Sequence, residues 1–325
     1  MPTELILQNL VSPVTLAFLL GVIATLVRSD LEIPEPVIKI FAIYLLFSIG
    51  LQGGQQLAGT SLNEVTAGFA VTVLLIVSLP AVAFLIARYA VGLDVPNAAG
   101  VAALYGSVSS VTFAVSKSFA KGLGVEVPGY VAGLVAMLEF GILMALFYGR
   151  IALARHDPAS RLSALLQETL RGRTLILLGG GLFIGWAIGE ANFKKVELFF
   201  VDLARGVLVL FILEMGMTAA RELRQFVRLA PRMIAFGIIV PLIGGAIGTF
   251  LAALFGLPLG AVYVLGAVAA SASYIDAPVA VRETFPEANP SIYLTSSLGV
   301  TFPFMLVLGI PVVFEMAEFW VSALG

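Results

Sequence analysis

The sequence predicts an all-α integral membrane protein whose ten transmembrane helices form a five-plus-five inverted repeat with two crossing broken helices. Three observations lead to this prediction: a very apolar composition, ten apolar runs of membrane-spanning length divided by one central polar segment, and matching short motifs in the two halves. Because each half has an odd number of helices, the second half inserts upside down relative to the first.

The composition requires lipid as the solvent for much of the surface. Hydrophobic residues make up 60% of the 325 residues and charged residues only 12%, about half the charged share of a soluble domain. The net charge of −2 excludes the basic footprint of a nucleic-acid-binding protein. Cysteine is absent from the sequence, which excludes a disulfide framework, a thiol nucleophile and a thiolate metal site.

Apolar runs of about 20 residues, each long enough to cross ~30 Å of hydrocarbon, predict the helices. They lie at 11–28, 36–57, 66–90, 96–120, 128–153, 174–189, 197–220, 232–255, 258–284 and 291–320. A membrane segment must satisfy its backbone groups internally, so helices rather than strands are expected. No basic segment or small-residue cleavage site marks the first run, which is therefore interpreted as a retained helix rather than a signal peptide.

One polar segment divides the chain into a first repeat at 1–153, a cytoplasmic linker at 154–173 and a second repeat at 174–325. Successive loops lie on opposite sides of the membrane, and only five of the 18 Lys and Arg residues then fall on the side opposite the linker. Those five are Lys117, Lys121, Lys194, Lys195 and Arg205. The positive-inside rule therefore predicts a multi-pass protein of the cell inner membrane with both termini outside.

The two halves share motifs in the same order and at a near-constant offset. IGLQGGQQL at 49–57 aligns with MGMTAAREL at 215–223, and GSVSSVTFAVSKSF at 106–119 aligns with ASASYIDAPVAVRETF at 270–285. A single match between Gly- and Ala-rich helices is weak, but a common order favours an inverted repeat.

Two segments interrupt the apolar pattern at corresponding places in the halves. The first, 104–113, contains Gly106 and the hydroxyl residues Ser107, Ser109, Ser110 and Thr112. The second, 269–278, contains Ser271, Ser273, Tyr274, Asp276 and Pro278. Helices that unwind here offer N–H groups and a positive dipole end to an anion, while carbonyls and carboxylates suit sodium. Paired breaks predict a transporter's midplane site, and the alternative is a close-packed interface of small residues.

Three carboxylates lie within apolar runs, where a charge requires a cavity and a partner. Asp276 is the first candidate because it falls inside the second break, and Glu139 follows because it lies near the centre of its helix. Glu214 is close to Arg221, so capping is as good an interpretation as function. The single His156 lies in the polar linker, which excludes a Ser/His/Asp triad at membrane depth and disfavours an enzyme.

The runs GSVSSVT, ASASYIDAP, PEANPSIYLTSSLG and IGLQGG together resemble the sodium-dependent bicarbonate transporters of the SbtA type, in order and over nearly the whole chain. The resemblance implies a bicarbonate site between two crossing broken helices, an adjacent sodium site, trimers, and a cytoplasmic face that binds a PII-like regulator. Carried over residue by residue, it implies an anion site at Gly106, Ser109, Thr112, Ser271 and Ser273 and an acidic residue at Glu139. Together with the polar residues of the two breaks, this predicts an anion site built from Gly106, Ser107, Ser109, Ser110, Thr112, Ser271 and Ser273, and sodium ligands at Glu139, Ser273 and Asp276.

The chain departs from the family pattern at several positions. Where the family has Asp directly after its second serine run, this chain has Tyr274, and Asp276 follows two residues later. Family serines fall on Ala272 and Val111, and the central loop is shorter. We therefore expect 271–277 to be non-helical, so that Asp276 faces 106–112 and replaces the displaced acid.

Three functions remain open from the sequence. The first is sodium-coupled import of bicarbonate or a similar small anion, with sodium as coupling ion and no other cofactor. The second is a cation/proton antiporter that uses Glu139 and Asp276. The third is a membrane docking protein for a soluble regulator, suggested by the arginines in 150–173 and 221–232, for which ordinary topology-setting charge is the alternative.

Overall fold

The computed structural model describes residues 11–57, 62–153, 171, 173–226, 231–274 and 277–324, and within them all regular secondary structure is helical. Among these residues, six stretches are long and apolar enough to cross a membrane: Glu35–Gln55, Val65–Val91, Val95–Gly122, Val131–Ala152, Pro231–Leu254 and Pro290–Leu324. Two further apolar helices, Pro13–Leu26 and Leu259–Ala269, are shorter. The all-helical membrane class follows, whereas ten spans and the inverted orientation of the halves stay predictions.

The helices of the first half begin and end close to the predicted runs. They are α1 (Pro13–Leu26), α2 (Glu35–Leu57), α3 (Leu62–Leu85), α4 (Val95–Gly106), α5 (Ser110–Gly122), α6 (Val131–Leu138) and α7 (Gly141–Ala152). Local chemistry sets the starts: Ser12 caps α1 by accepting the Thr15 N–H at 3.2 Å, and Asp94 caps α4 by accepting the Asn97 N–H at 2.9 Å. The predicted runs 96–120 and 128–153 are each divided into two helices.

The helices of the second half are α8 (Arg173–Phe193), α9 (Leu203–Phe226), α10 (Pro231–Leu254), α11 (Leu259–Ala269), α12 (Ala277–Thr284) and α13 (Pro290–Leu324). Gly189, with φ of 69°, interrupts α8 where the predicted run ends. Within α13, Thr295–Thr301 and Met305–Gly309 are π-helical. The predicted run 258–284 is divided between α11 and α12, with residues 270–274 outside any helix.

Glycines let two helix pairs from opposite halves approach closely. Helix α2 packs on α8 and α1 packs on α9. A Cβ on Gly54 would overlap the Leu182 carbonyl oxygen, and one on Gly216 would overlap the Phe18 carbonyl oxygen. The first helix of each half therefore packs on the second helix of the other half, a reciprocal arrangement that agrees with an inverted repeat.

The broken helices do not belong to these two pairs; they pack around α3 and α10. Helix α3 contacts α4 and α7, and α10 contacts α11 and α13. Pro80 lies inside α3 and its ring fills the space where a Cβ on Gly106 would be. In α10, where Pro241 is internal, Gly244 lies against the Ala269 carbonyl. The end of α4 and the end of α11 are thus fixed in similar ways by a proline-containing neighbour.

Candidate functional site

The two breaks meet each other inside the protein. The Ser109 N–H donates to Ser271 Oγ at 2.9 Å, and the Ser273 N–H donates to the Leu104 carbonyl oxygen at 2.7 Å. Each break therefore supplies an acceptor for a backbone donor of the other. The structure brings together the segments that the sequence predicts to cross, although they are more than 160 residues apart.

The start of α5 is arranged as a buried positive helix end. Ser109 has an extended backbone, and its side chain accepts the Thr112 N–H at 3.1 Å. Among the described residues, no acceptor is bonded to the N–H groups of Ser110 and Val111, the first two positions of the helix. Ser109, Val111 and Thr112 are buried, so this helix end is shielded from bulk solvent. Such a position favours an anion.

The second break adds hydroxyl groups opposite this helix end. Ser271 Oγ donates to the Val268 carbonyl oxygen at 2.6 Å while it accepts from Ser109, and Ser273 is buried. The Tyr274 ring packs edge-on against Phe302, with 5.9 Å between the ring centroids. Residues 271–274 are non-helical, as expected, but the predicted non-helical segment 271–277 ends too late, because α12 begins at Ala277, directly before Pro278. Asp276 lies outside the described residues, so its orientation toward 106–112 stays a prediction.

Glu139 lies at the joint between α6 and α7 and contacts the first break. It is 4% exposed, and its Oε2 accepts a hydrogen bond from Ser107 Oγ at 2.7 Å. Two residues further on, a Cβ on Gly141 would overlap the Gly106 carbonyl oxygen. This joint therefore holds the end of α4 through one polar contact and one close backbone contact.

Glu214 is held by an ion pair on its own helix. Its Oε1 accepts from Arg221 Nη2 at 2.7 Å and from Thr218 Oγ1 at 3.0 Å. The carboxylate is buried, whereas the Arg221 side chain is 51% exposed. This geometry agrees with the structural interpretation of Glu214 rather than with a transport role.

Substituting Glu214 by glutamine is expected to leave anion uptake within about twofold of wild type, because it removes the buried charge and water can solvate the half-exposed Arg221 that loses its partner. Uptake into proteoliposomes measures this, with Thr218→Ala as a control that keeps the charge pair. A loss as large as that of a substrate-contacting variant would contradict the assignment.

A buried hydroxyl cluster around Tyr105, at the start of the first break, was not expected from the sequence. The Tyr105 hydroxyl is 2.7 Å from Ser296 Oγ and 2.6 Å from Thr301 Oγ1, and Thr301 donates to the Gly237 carbonyl at 2.6 Å. These contacts join α4, α13 and α10 one residue before Gly106. The signal in the sequence that could have indicated the cluster was the pair of hydroxyl residues Ser296 and Thr301 inside the last apolar run. Both lie in the π-helical stretch Thr295–Thr301, and such a stretch often marks a functional position.

One expectation about charge from the sequence changes in the structure. Lys117, counted with the outer-loop charges, lies within α5 and inside the apolar stretch Val95–Gly122, with its side chain partly buried.

No group of three or more His, Asp or Glu that could hold a metal occurs in the described part of the chain. Hydroxyl and carbonyl oxygens, with single carboxylates, are therefore the donors available to a hard cation such as sodium. The arginine-rich linker, with His156, lies outside the described residues.

Apolar helices of spanning length, and two helix breaks joined by hydrogen bonds inside the protein, are the features of a multi-pass membrane protein of the transporter class. Residues 13–318 match the Na+-dependent bicarbonate transporter superfamily, and the chain belongs to that family. The match extends over both halves and confirms the resemblance carried by the short motifs. No curated protein matches the sequence.

Proposed function

We propose that this protein imports bicarbonate, or a similar small anion, into the cell and that sodium moving down its gradient drives the import. The observation that carries the proposal is the hydrogen-bonded crossing of the two breaks, from Ser109 to Ser271, at the buried positive end of α5. Membership of a sodium-dependent bicarbonate transporter family supports the same substrate and coupling ion.

The anion would bind at the first turn of α5. The N–H groups of Ser110 and Val111 donate toward it, and the helix dipole adds a positive potential without a formal charge. The Thr112 hydroxyl can donate to an acceptor oxygen of bicarbonate. Ser271 already donates its single O–H to the Val268 carbonyl and can therefore only accept from the O–H of bicarbonate. Gly106 permits the close approach of α4 to Pro80, and Gly141 leaves room for the Gly106 carbonyl oxygen; both contacts fix the break.

Sodium would bind beside the anion, with Glu139, Ser273 and Asp276 as the proposed ligands. A cation next to the anion offsets its charge, and in surroundings of low dielectric this attraction reduces the cost of removing both ions from water. Each ion therefore improves the site for the other, which is the energetic basis for coupling their movement. Ser107 orients the Glu139 carboxylate through its hydrogen bond.

The direct test is uptake of labelled bicarbonate by proteoliposomes that contain the purified protein, under an inward sodium gradient. Replacing external sodium by potassium is expected to abolish uptake, and excess unlabelled bicarbonate is expected to compete. Bicarbonate uptake that does not depend on external sodium, or the absence of bicarbonate uptake, would overturn the proposal.

Asp276→Asn is expected to abolish sodium-dependent uptake while expression and melting temperature stay near wild type, because only the charge of the proposed cation ligand is removed. Glu126→Gln, which neutralises an exposed carboxylate, is the matched control and should transport normally. If Asp276→Asn transports with unchanged sodium dependence, that carboxylate is structural and the cation site lies around Glu139.

A cation/proton antiporter is the second candidate, favoured by the burial of Glu139 at the joint next to the first break. It predicts that a sodium gradient alone changes the internal pH of vesicles without added anion. A pH change that requires bicarbonate would instead support import.

Docking of a PII-like regulator and assembly into trimers are further proposals that rest on the family. Because Arg221 neutralises Glu214, a docking test should substitute Arg228 and Arg232 first and leave Arg221 in place. Retained regulator binding in that variant would argue that the arginines only set the topology.

A further inference from the structure

A cavity of about 90 Å³ lies between α2, α5 and the chain around the start of α9. Its polar lining consists of Gln52, Lys117, Ser118, Lys121 and Arg205, and we call this cavity the cationic vestibule. Within the part of the chain that the structure describes, its lining includes three cationic side chains and no carboxylate. The cavity is large enough for a small anion with some of its water.

The charges of the vestibule are arranged unfavourably for the protein alone. Lys117 and Lys121 are four residues apart on α5, and like charges at this spacing destabilise a helix. Among the described residues, neither lysine forms an ion pair, and Arg205 forms none either. Lys117 is partly buried in an apolar stretch, where an uncompensated charge is costly. A bound anion would remove this mutual repulsion.

The vestibule adjoins the start of α5. A narrow apolar cavity of about 10 Å³ is lined by Ser110 and Val111, and it shares Leu45, Ile49 and Ala114 with the vestibule. Lys117 is seven residues beyond Ser110, roughly 10 Å along the helix axis. Between an anion held by the lysines and the first turn of α5 there is therefore this small apolar cavity, which has room for about one water molecule.

We propose that the cationic vestibule is a low-affinity binding site for small monoanions, which concentrates the transported anion before it passes to the break. The inference rests on the proposed function and adds a second, outer binding site for the transported anion. The charge distribution predicts that this face is the external one. A cluster of like charges in a concave, partly apolar cavity raises the local anion concentration, and salt weakens the effect.

Transport kinetics test the role of the vestibule. In the double variant Lys121→Gln and Arg205→Gln, the KM for bicarbonate is expected to rise about three- to tenfold at low ionic strength, with the maximal rate little changed. The difference should shrink in potassium gluconate at high concentration, because salt screens the charges. Lys194→Gln is the matched control, since Lys194 is exposed, pairs with Glu190 and is predicted to lie on the same face.

A second measurement reports the potential of the vestibule without transport. The sequence contains no cysteine, so Ser118→Cys introduces a single exposed thiol in the cavity. The measured quantity is the labelling rate of a negatively charged methanethiosulfonate reagent divided by that of a positively charged one. This ratio is expected to be about tenfold higher for the introduced thiol than for a free thiol in solution. Adding Lys121→Gln and Arg205→Gln should remove the preference.

The outcomes separate this inference from the proposed function. Wild-type bicarbonate uptake combined with an unchanged KM in the double variant and no labelling preference overturns the vestibule and leaves import standing. A labelling preference in a protein that takes up no bicarbonate supports the vestibule and overturns bicarbonate as the substrate.

Discussion

Replacing Gly141 by alanine is expected to abolish anion uptake and to lower the melting temperature of the purified protein. The new Cβ would overlap the Gly106 carbonyl oxygen, which is backbone and has no rotamer by which to move away. Helix α7 must then move from the end of α4, and such overpacking typically costs about 1–3 kcal/mol. Because Gly106 and Ser107 form the first break, the same displacement distorts the proposed anion site.

Gly179→Ala is the matched control. A Cβ at Gly179 meets no described atom within 4 Å, and Gly179 lies in helix α8. Alanine there should preserve uptake and raise stability slightly, by about 0.5–1 kcal/mol, because alanine loses less backbone entropy than glycine. Near-normal uptake and melting temperature in Gly141→Ala would show that the joint between α6 and α7 does not position the break.

Glu139→Gln is expected to reduce sodium-dependent uptake by more than about tenfold while the melting temperature changes little. The glutamine Oε still accepts the hydrogen bond from Ser107, so the joint is kept while the charge proposed to hold sodium is lost. Glu139→Ala removes both and should also lower stability, since it leaves a cavity and an unpaired Ser107 hydroxyl.

Ser107→Ala separates the two roles of Glu139, because it removes the hydrogen bond and keeps the carboxylate. We expect a smaller loss of uptake than in Glu139→Gln, with a raised half-saturating sodium concentration, because the carboxylate is less well oriented. If Glu139→Gln transports with wild-type sodium dependence, Glu139 is only a structural partner of the first break and Asp276 becomes the principal cation ligand.

Much of the architecture follows from local composition and is therefore visible in the sequence. Apolar runs require a membrane, and glycine, serine and proline inside such runs mark where a helix cannot continue, as at Gly106–Ser109 and after Ala269. The Gly and Ser motifs were also enough to indicate the family. A local signal of this kind does not depend on which helices become neighbours.

The partners of individual polar groups are decided only by the tertiary structure. In sequence Glu139 and Glu214 look alike, both carboxylates in apolar runs, yet Glu139 contacts the first break and Glu214 is neutralised by Arg221. Likewise, the sequence indicates only that Lys117 and Arg205 contribute to the charge balance that sets the topology, whereas the structure shows that both line one cavity.

The physical reason is that glycine and proline contacts between helices fix how closely and at what angle the helices cross, and crossing sets which distant side chains meet. Ser109 and Ser271 are separated by 162 residues, half of the chain, and no periodicity within either segment specifies their hydrogen bond. The sequence by itself determined a multi-pass helical membrane protein with two interrupted segments, and packing between the two halves decided which residues meet where the two breaks are in contact.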